Sequence, residues 1–267
     1  MRPRTVTTAI LAALAVALAN LAGCPLTSGP APVPEIPDLQ GRVVVFGMPA
    51  DNLPYSDFDP QTDAPTGFDH DLILRLAETL IFTPRFEKVP PERLLADLET
   101  GAIDGAAGGI AYTLERLVRY RAVEPYALVK LRLVMDAAAP AAPSIAAFQA
   151  DPSLRIGAVA GTWPVEQMNR FLGEERVVTY PSATTLVEAL LSGEVDGVAL
   201  DDPQVERAMQ QFPDRLAPAS GPLSGAVVGF LLSAQTDLLS AMNAGIQRLA
   251  VHGTLTELNE KWGVRGR

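Results

Sequence analysis

One cysteine, two histidines and a shortage of basic residues set the first limits on this chain of 267 residues. Cys24 has no second cysteine to pair with, so an intramolecular disulfide is excluded and packing must hold the core. His70 and His252, with no cysteine cluster beside them, do not make a zinc site of the usual kind. Neither a His–acid nor a Ser–His arrangement stands out, so no metal, cofactor or catalytic residue is expected. Lys and Arg number 21 against 31 Asp and Glu, a formal net charge of -10. That balance argues against DNA, RNA or an acidic membrane face as partner, because such affinity rests on cations neutralising phosphates. The apolar stretch 9–23 is too short for an ordinary membrane span. What is plentiful is apolar residues, 48% of the chain, enough for one large domain or two of modest size.

Arg2 and Arg4 precede that apolar stretch, and it ends in Leu21-Ala22-Gly23-Cys24. A basic head, a short apolar segment and small residues before the end have the form of a secretory signal with a lipobox. Residues 1–23 are expected to be cleaved off, leaving Cys24 to carry a thioether-linked diacylglycerol and anchor the protein. The alternative for a lone thiol is a buried structural cysteine, but Pro25, Pro30, Pro32 and Pro34 follow at once. Residues 24–40 read as a tether. The expected location is extracytoplasmic, in the periplasm, with the membrane touched through the anchor only. Losing Arg2 and Arg4 takes the mature charge to about -12.

From Arg42 the patterns alternate. Val43–Phe46 is β-rich, and Leu72, Leu76 and Leu80 repeat at helical spacing. Phe82–Val89 suits a strand, Pro91 to Gly101 a helix, and Ile103 to Ala107 a buried strand. The same rhythm returns with a strand at Leu154–Val159, a helix near Pro164–Leu172, a strand at Val177–Tyr180, a Ser182-capped helix and a strand to Leu200. Each unit carries a Gly-x-(Ile/Val)-Asp-Gly turn, at Gly101–Gly105 and at Gly193–Gly197. Val129–Val134 and Ala226–Leu232 read as further strands, followed by helices over Asp237–Leu249 and Leu255–Trp262. Repeated β-α-β order predicts an α/β fold with parallel sheets.

Several segments, in order, resemble the extracellular solute-binding proteins of the polar amino-acid type. They are Gly67-Phe68-Asp69-His70-Asp71-Leu72, Leu98 to Asp104, Thr113-Leu114-Glu115-Arg116, Pro125-Tyr126, Gly157 with Gly161-Thr162, Gly193 to Asp196, and Gly253-Thr254 with Lys261-Trp262. The resemblance runs from about residue 41 to 263. It implies a two-lobed periplasmic-binding-protein fold of type II, each lobe a mainly parallel sheet flanked by helices, joined by a two-strand hinge. Lobe one would comprise 41–128 and 218–267, and lobe two 129–217, with the ligand between them. It also implies a monomer that passes a solute to an inner-membrane ABC permease.

Arg116 is the first candidate for ligand binding, since a guanidinium matches a carboxylate through two parallel donors. The corresponding arginine of the family grips the ligand's α-carboxylate; the alternative is a solvated arginine paired with Glu115 or Glu124. Asp201, at the carboxyl end of a strand where ligands of α/β sheets sit, corresponds to the acceptor of the ligand's ammonium, with Asp202 as competitor. Gly108, Gly109 and Ala111 match a segment that offers backbone groups, and Thr162 starts a helix whose free N–H groups suit a carboxylate. Asp69 is expected to tie a loop to the lobe or cap a helix. The resemblance also implies ligand contacts at Asn52, which stands where the family often has an aromatic, and at Tyr55 of the Pro-aromatic pair that follows; Asn52, Pro91, Ala111 and Trp163 depart from the family's pattern. Trp163 either lines the cleft or packs beneath lobe two.

The expected function is therefore a non-enzymatic binding protein for a small carboxylated or zwitterionic, amino-acid-like solute. Two alternatives belong to other classes. Asp51–Ser56 resembles binding-protein-like partners of quinoprotein alcohol dehydrogenases, which points to an accessory protein. The fold also serves a periplasmic cyclohexadienyl dehydratase; Glu92, Glu124 and Glu166 are available as acids by position only.

Overall fold

A computed structural model describes residues 37–139, 144–219 and 221–266. The leader, Cys24 and the tether as far as residue 36 lie outside the described residues. Among those described, no helix is long and apolar enough to cross a membrane.

The first unit opens with strand β1 (Val43–Met48), which buries Val44, Phe46 and Met48. A hairpin of two short strands, β2 (Asp57–Phe58) and β3 (Pro65–Thr66), interrupts the Pro-rich stretch that follows β1. Helix α1 (Phe68–Leu80) starts three residues earlier than the leucine spacing alone indicates. Its first N–H groups need no side-chain cap, because Phe68 N and Asp69 N donate to the carbonyls of Pro54 and Tyr55 at 2.8 and 3.0 Å. Strand β4 (Thr83–Lys88), helix α2 (Pro91–Thr100) and strand β5 (Gly105–Ala111) follow. Helix α3 (Leu114–Arg119) is capped by the Thr113 hydroxyl, which accepts from Arg116 N. Short strand β6 (Arg121–Ala122) leads to the ten-residue strand β7 (Ala127–Asp136).

The second unit begins with helix α4 (Ile145–Ala150), capped by Ser144 and not foreseen from the sequence. Strand β8 (Ile156–Val159), helix α5 (Trp163–Leu172), strand β9 (Val177–Tyr180), helix α6 (Ala183–Ser192) and strand β10 (Gly197–Asp201) repeat the earlier order. Ser182 and Thr185 form a reciprocal capping box at α6. Helix α7 (Asp202–Gln211) and strand β11 (Leu216–Pro218) return the chain to strand β12 (Ser224–Leu232), helix α8 (Leu239–Val251) and helix α9 (Thr254–Trp262).

The two Gly-x-(Ile/Val)-Asp-Gly turns do the same work. Gly101 and Gly193 end their helices in the left-handed conformation, at φ 77° and 78°. The Asp104 carboxylate then accepts Val45 N, and that of Asp196 accepts Arg155 N, each at 2.8 Å. Each aspartate thus fastens the start of a new strand to the neighbouring one, while Ile103 and Val195 enter the core.

The sheet order is β4-β1-β5-β12-β7-β10-β8-β9. Pairs β1–β4 and β1–β5 are parallel in one lobe, as are β10–β8 and β8–β9 in the other. β7 and β12 run antiparallel between them and carry the sheet from lobe to lobe. Leu131 marks the passage, for it faces Ser224 on one side and Asp201 on the other. Helices cover both faces of the sheet. Val89, Leu94, Leu98 and Ile103 form a separate core under α2, and Leu186, Leu190, Val198 and Leu200 form one under α6. The C-terminal helices close the first lobe: Asp71 Oδ2 accepts from Lys261 Nζ at 2.7 Å and from Trp262 Nε1 at 2.8 Å. The conspicuous Asp69-His70-Asp71 and Lys261-Trp262 motifs are therefore structural on this side, and His70 is half-buried against Phe86.

Candidate functional site

The carboxyl ends of β5 and β10 face one another across a cleft, the place where α/β sheets usually bind ligands. Pro49, Asp51, Asn52, Pro91, Leu94, Gly108 to Ala111 and Arg116 line it from the first lobe; Val159, Gly161 to Pro164, Ala199, Asp201 and Gln204 line it from the second. Space for the centres of water-sized molecules amounts to about 70 Å³. A single water needs roughly 10–15 Å³ by that measure, so the space suits a small solute.

The wall at Gly108–Ala111 is built by Asp69. That carboxylate is fully buried and accepts Gly108 N at 2.6 Å, Gly109 N at 2.9 Å and the Tyr126 hydroxyl. Burial pushes the Asp69 carboxyl up to about 6 in spite of these donors. Asp69 ties the loop to the lobe and does not itself line the cleft. Gly108 and Gly109 have φ of 112° and 66°, which suits glycine, and a Cβ on Gly109 would fall 2.3 Å from the Tyr55 ring. Tyr55 must be corrected on this account. Its ring lies behind the glycine wall, 1% exposed, and it is not a lining residue. Burial raises the Tyr55 hydroxyl well above its ordinary value, with the nearby Asp201 and Asp69 charges adding to it.

Arg116 stands on the first turn of α3, where the Thr113 cap fixes its backbone. Its Nε and Nη2 donate to Glu166 Oε1 at 3.2 and 2.7 Å, and its Nη1 donates to the Ala111 carbonyl at 3.1 Å. Nη2 also reaches the Gly161 carbonyl at 3.5 Å. The partner is thus neither Glu115 nor Glu124 but a residue of α5 in the other lobe. The sequence did hold a signal for it: Glu166 lies four positions after Thr162 and so shares its helix face.

Asp201 is 8% exposed and caps α7, its Oδ1 accepting Gln204 N at 3.1 Å. No cationic side chain pairs with it among the described residues. Burial pushes its carboxyl up to about 6; the Gln204 N–H works against this and the Asp202 charge adds to it. Asp202 points elsewhere, into an ion pair with Arg132. Of the two neighbouring aspartates, only Asp201 lines the cleft.

Asn52 bridges the lobes. Its Nδ2 donates to the Gly108 carbonyl and its Oδ1 accepts from Gln204 Nε2, both at 2.7 Å. Thr184 N donates to Asp51 Oδ2 at 3.0 Å, another crossing between the lobes. Ala111 supplies its carbonyl to Arg116 in place of a hydroxyl to the cleft. Thr162 begins α5, but its hydroxyl donates to the Val159 carbonyl at 2.5 Å instead of capping the helix. Trp163 combines the two expected roles, since it lines the cleft and also packs into the core at 5% exposure. Cys24 lies outside the described residues. Among those described, no cluster of His, Cys, Asp and Glu could hold a metal ion.

Two α/β lobes, a pair of crossing strands and a small cleft at the facing strand ends define a two-lobed binding protein. The sequence profile of bacterial extracellular solute-binding proteins, family 3, matches residues 44–265, and the chain belongs to that family. A crystal structure of a mutant ArgBP from T. maritima is similar, at 25% identity and a TM-score of 0.75, over 82% of this chain and 94% of that one. The arginine-, lysine-, histidine-binding protein ArtJ from Geobacillus stearothermophilus matches at 21% identity and a TM-score of 0.75, over 83% and 95% of the two chains. The ancestral amino acid-binding protein AncCDT-1, a precursor of cyclohexadienyl dehydratase, matches at 22% and 0.74, over 82% and 95%. Comparison with curated proteins returns no match.

Proposed function

We propose that this chain is a periplasmic, lipid-anchored binding protein that takes a small, amino-acid-like solute into the interlobe cleft and passes it to an ABC importer of the inner membrane. It acts as a monomer and performs no chemistry on the solute. Lobe one comprises residues 41–128 and 218–267 and lobe two 129–217, with the hinge in the two crossings. The anchor is the lipidated Cys24.

One observation carries this reading: Asp201 is a buried carboxylate that lines the cleft and has no cationic partner among the described residues. A buried charge of this kind is costly unless something of opposite sign meets it, and a solute ammonium does so. Arg116 from the other lobe stands at the opposite end, where a solute carboxylate would have to exchange with Glu166. Asn52, Gly109, Ala111, Thr162 and Trp163 shape the space between. Closure of the lobes then follows from a solute that touches both and favours the closed population.

The test is direct. Native protein is purified from its own membrane and denatured, and the released solute is identified by mass spectrometry. Calorimetry with that solute should show Asp201→Ala losing tenfold or more in affinity, as expected for a desolvated charge-assisted contact. Wild-type affinity in Asp201→Ala, or an unmodified Cys24 in the mature protein, would refute the corresponding part of the reading.

A further inference from the structure

The cleft carries an electrostatic imbalance. Its charged lining residues are Asp51, Arg116 and Asp201. Arg116 is already neutralised by Glu166, so the acids are what a solute meets. The guanidinium offers five N–H groups in a fixed plane. Those at Nε and Nη2 that would form a fork for an incoming carboxylate both point to Glu166 Oε1, and the rest of the side chain is held by two backbone carbonyls. Only 7% of the Arg116 side chain is exposed. The second Glu166 oxygen, Oε2, is buried with no hydrogen-bond partner among the described residues, so none of them draws this carboxylate away from the arginine.

We propose that Glu166 is a specificity residue that occupies the Arg116 fork from outside the cleft lining, so that the preferred solute is a small organic amine lacking a carboxylate. This rests on the reading of the cleft as a solute site and departs from the expectation of a carboxylated or zwitterionic solute. A zwitterion must expel Glu166 from Arg116 and then bring its own carboxylate beside the displaced one. Two like charges around one guanidinium repel, and the 7% exposure of Arg116 leaves that repulsion only partly screened. An amine meets no such obstacle: its ammonium turns to Asp201, and its carbon chain lies against Pro49, Leu94, Trp163 and Ala199. The aromatic face of Trp163 is compatible with a cation as well.

Matched probes separate the possibilities. Whole-chain protein, stripped of solute by unfolding and refolding, is titrated with three amino acids and their decarboxylated counterparts: leucine and isopentylamine, ornithine and putrescine, arginine and agmatine. In at least one pair the amine should bind the wild type about tenfold or more tightly than its amino acid, a gap of roughly 1.4 kcal/mol. Glu166→Gln should shrink that ratio by about tenfold, because it leaves the Arg116 fork facing a neutral group. A structural effect of the substitution on lobe closure would weaken both members of a pair and leave the ratio where it was. An amino acid that binds the wild type at least as tightly as its amine, with the ratio unmoved in Glu166→Gln, overturns the role of Glu166 and leaves the solute-binding function standing. No binding by any of the six overturns the amine preference, and if native protein also releases no solute, the solute-binding function falls with it.

Discussion

Arg116 Nη2 and Glu166 Oε1 meet between the lobes at 2.7 Å, one from the first turn of α3 and the other from the first turns of α5. Each belongs to a different lobe, so the pair is a tie between lobes as well as a neutralised charge. It stands with the Asn52–Gln204 and Asp51–Thr184 contacts, which also cross. The three together hold the lobes in contact through the protein's own side chains.

Removing one partner should loosen that contact. Glu166→Ala leaves the Arg116 guanidinium inside the protein without its anion, a cost on the order of 3–5 kcal/mol if the lobes stayed shut. Partial exposure of Glu166 and opening of the cleft both reduce it, so the expected loss in unfolding free energy is only about 1–2 kcal/mol. The solute-free variant should therefore show a larger radius of gyration in small-angle scattering than the solute-free wild type. Equal radii would mean that this ion pair does not restrain the lobes.

Asp201 gives a prediction in pH. Its folded value of about 6 lies above the ordinary 3.8, so the native state holds the proton more tightly than the unfolded chain does. The stabilising contribution is fully present below about pH 4 and is lost as pH rises through 6. Asp201→Asn keeps the helix cap, since Asn and Asp cap about equally well, and removes the ionisation. The variant should be more stable than wild type by roughly 1–3 kcal/mol at pH 7.5, with no gain at pH 4. Denaturant unfolding at the two pH values checks this; a constant difference would separate the stability change from the carboxyl group. Binding of an amine to the wild type should also weaken about tenfold between pH 7 and pH 5, as Asp201 takes up its proton.

Asp69 should matter to binding without touching the solute. Asp69→Ala leaves Gly108 N, Gly109 N and the Tyr126 hydroxyl with no acceptor, at a cost of roughly 2–4 kcal/mol of stability. Because those two amides set the cleft wall, solute affinity should fall about tenfold even in the folded fraction. Asp69→Asn retains one acceptor and should recover part of both losses. Calorimetry below the unfolding temperature distinguishes this from simple unfolding, which would lower the number of binding sites and leave the affinity intact.

The strand of Val177–Tyr180, the cap at Ser182, and the turns that open at Gly101 and Gly193 were legible because each depends on neighbours close in the chain. The separation of Asp201 from Asp202 needed the strand end to be known as well as the pairing of Asp202 with Arg132. Tyr55 misled, because an aromatic near a loop can face a cleft or fill the space behind it, and only Gly109 decides which. Glu166 was visible as an acid four positions after Thr162 on the same helix face; its partner is 50 residues away, and no local pattern names which side chain it meets when two lobes come together. The helix at Ile145–Ala150 is short and lacks a repeating apolar face, which hid it.

Gly161 tests whether the observed approach of the lobes is the one reached with solute. Its φ is 72°, and a Cβ there would lie 2.4 Å from Glu92 Cα, 2.5 Å from Glu92 N and 2.6 Å from the Pro91 carbonyl oxygen. Those atoms are backbone of the opposite lobe, so they cannot turn aside as a side chain would. Gly161→Ala also places a Cβ in the left-handed region, at a cost of roughly 1 kcal/mol. That local cost is present in both open and closed forms, whereas the collision exists only when the lobes approach this closely. The variant should therefore lose only about 1 kcal/mol of unfolding free energy yet bind its solute at least tenfold more weakly. Small-angle scattering at saturating solute should show contraction in the wild type and little or none in Gly161→Ala. Full contraction of the variant would mean that the solute-bound lobes meet along another line, and that Gly161 does not limit their approach.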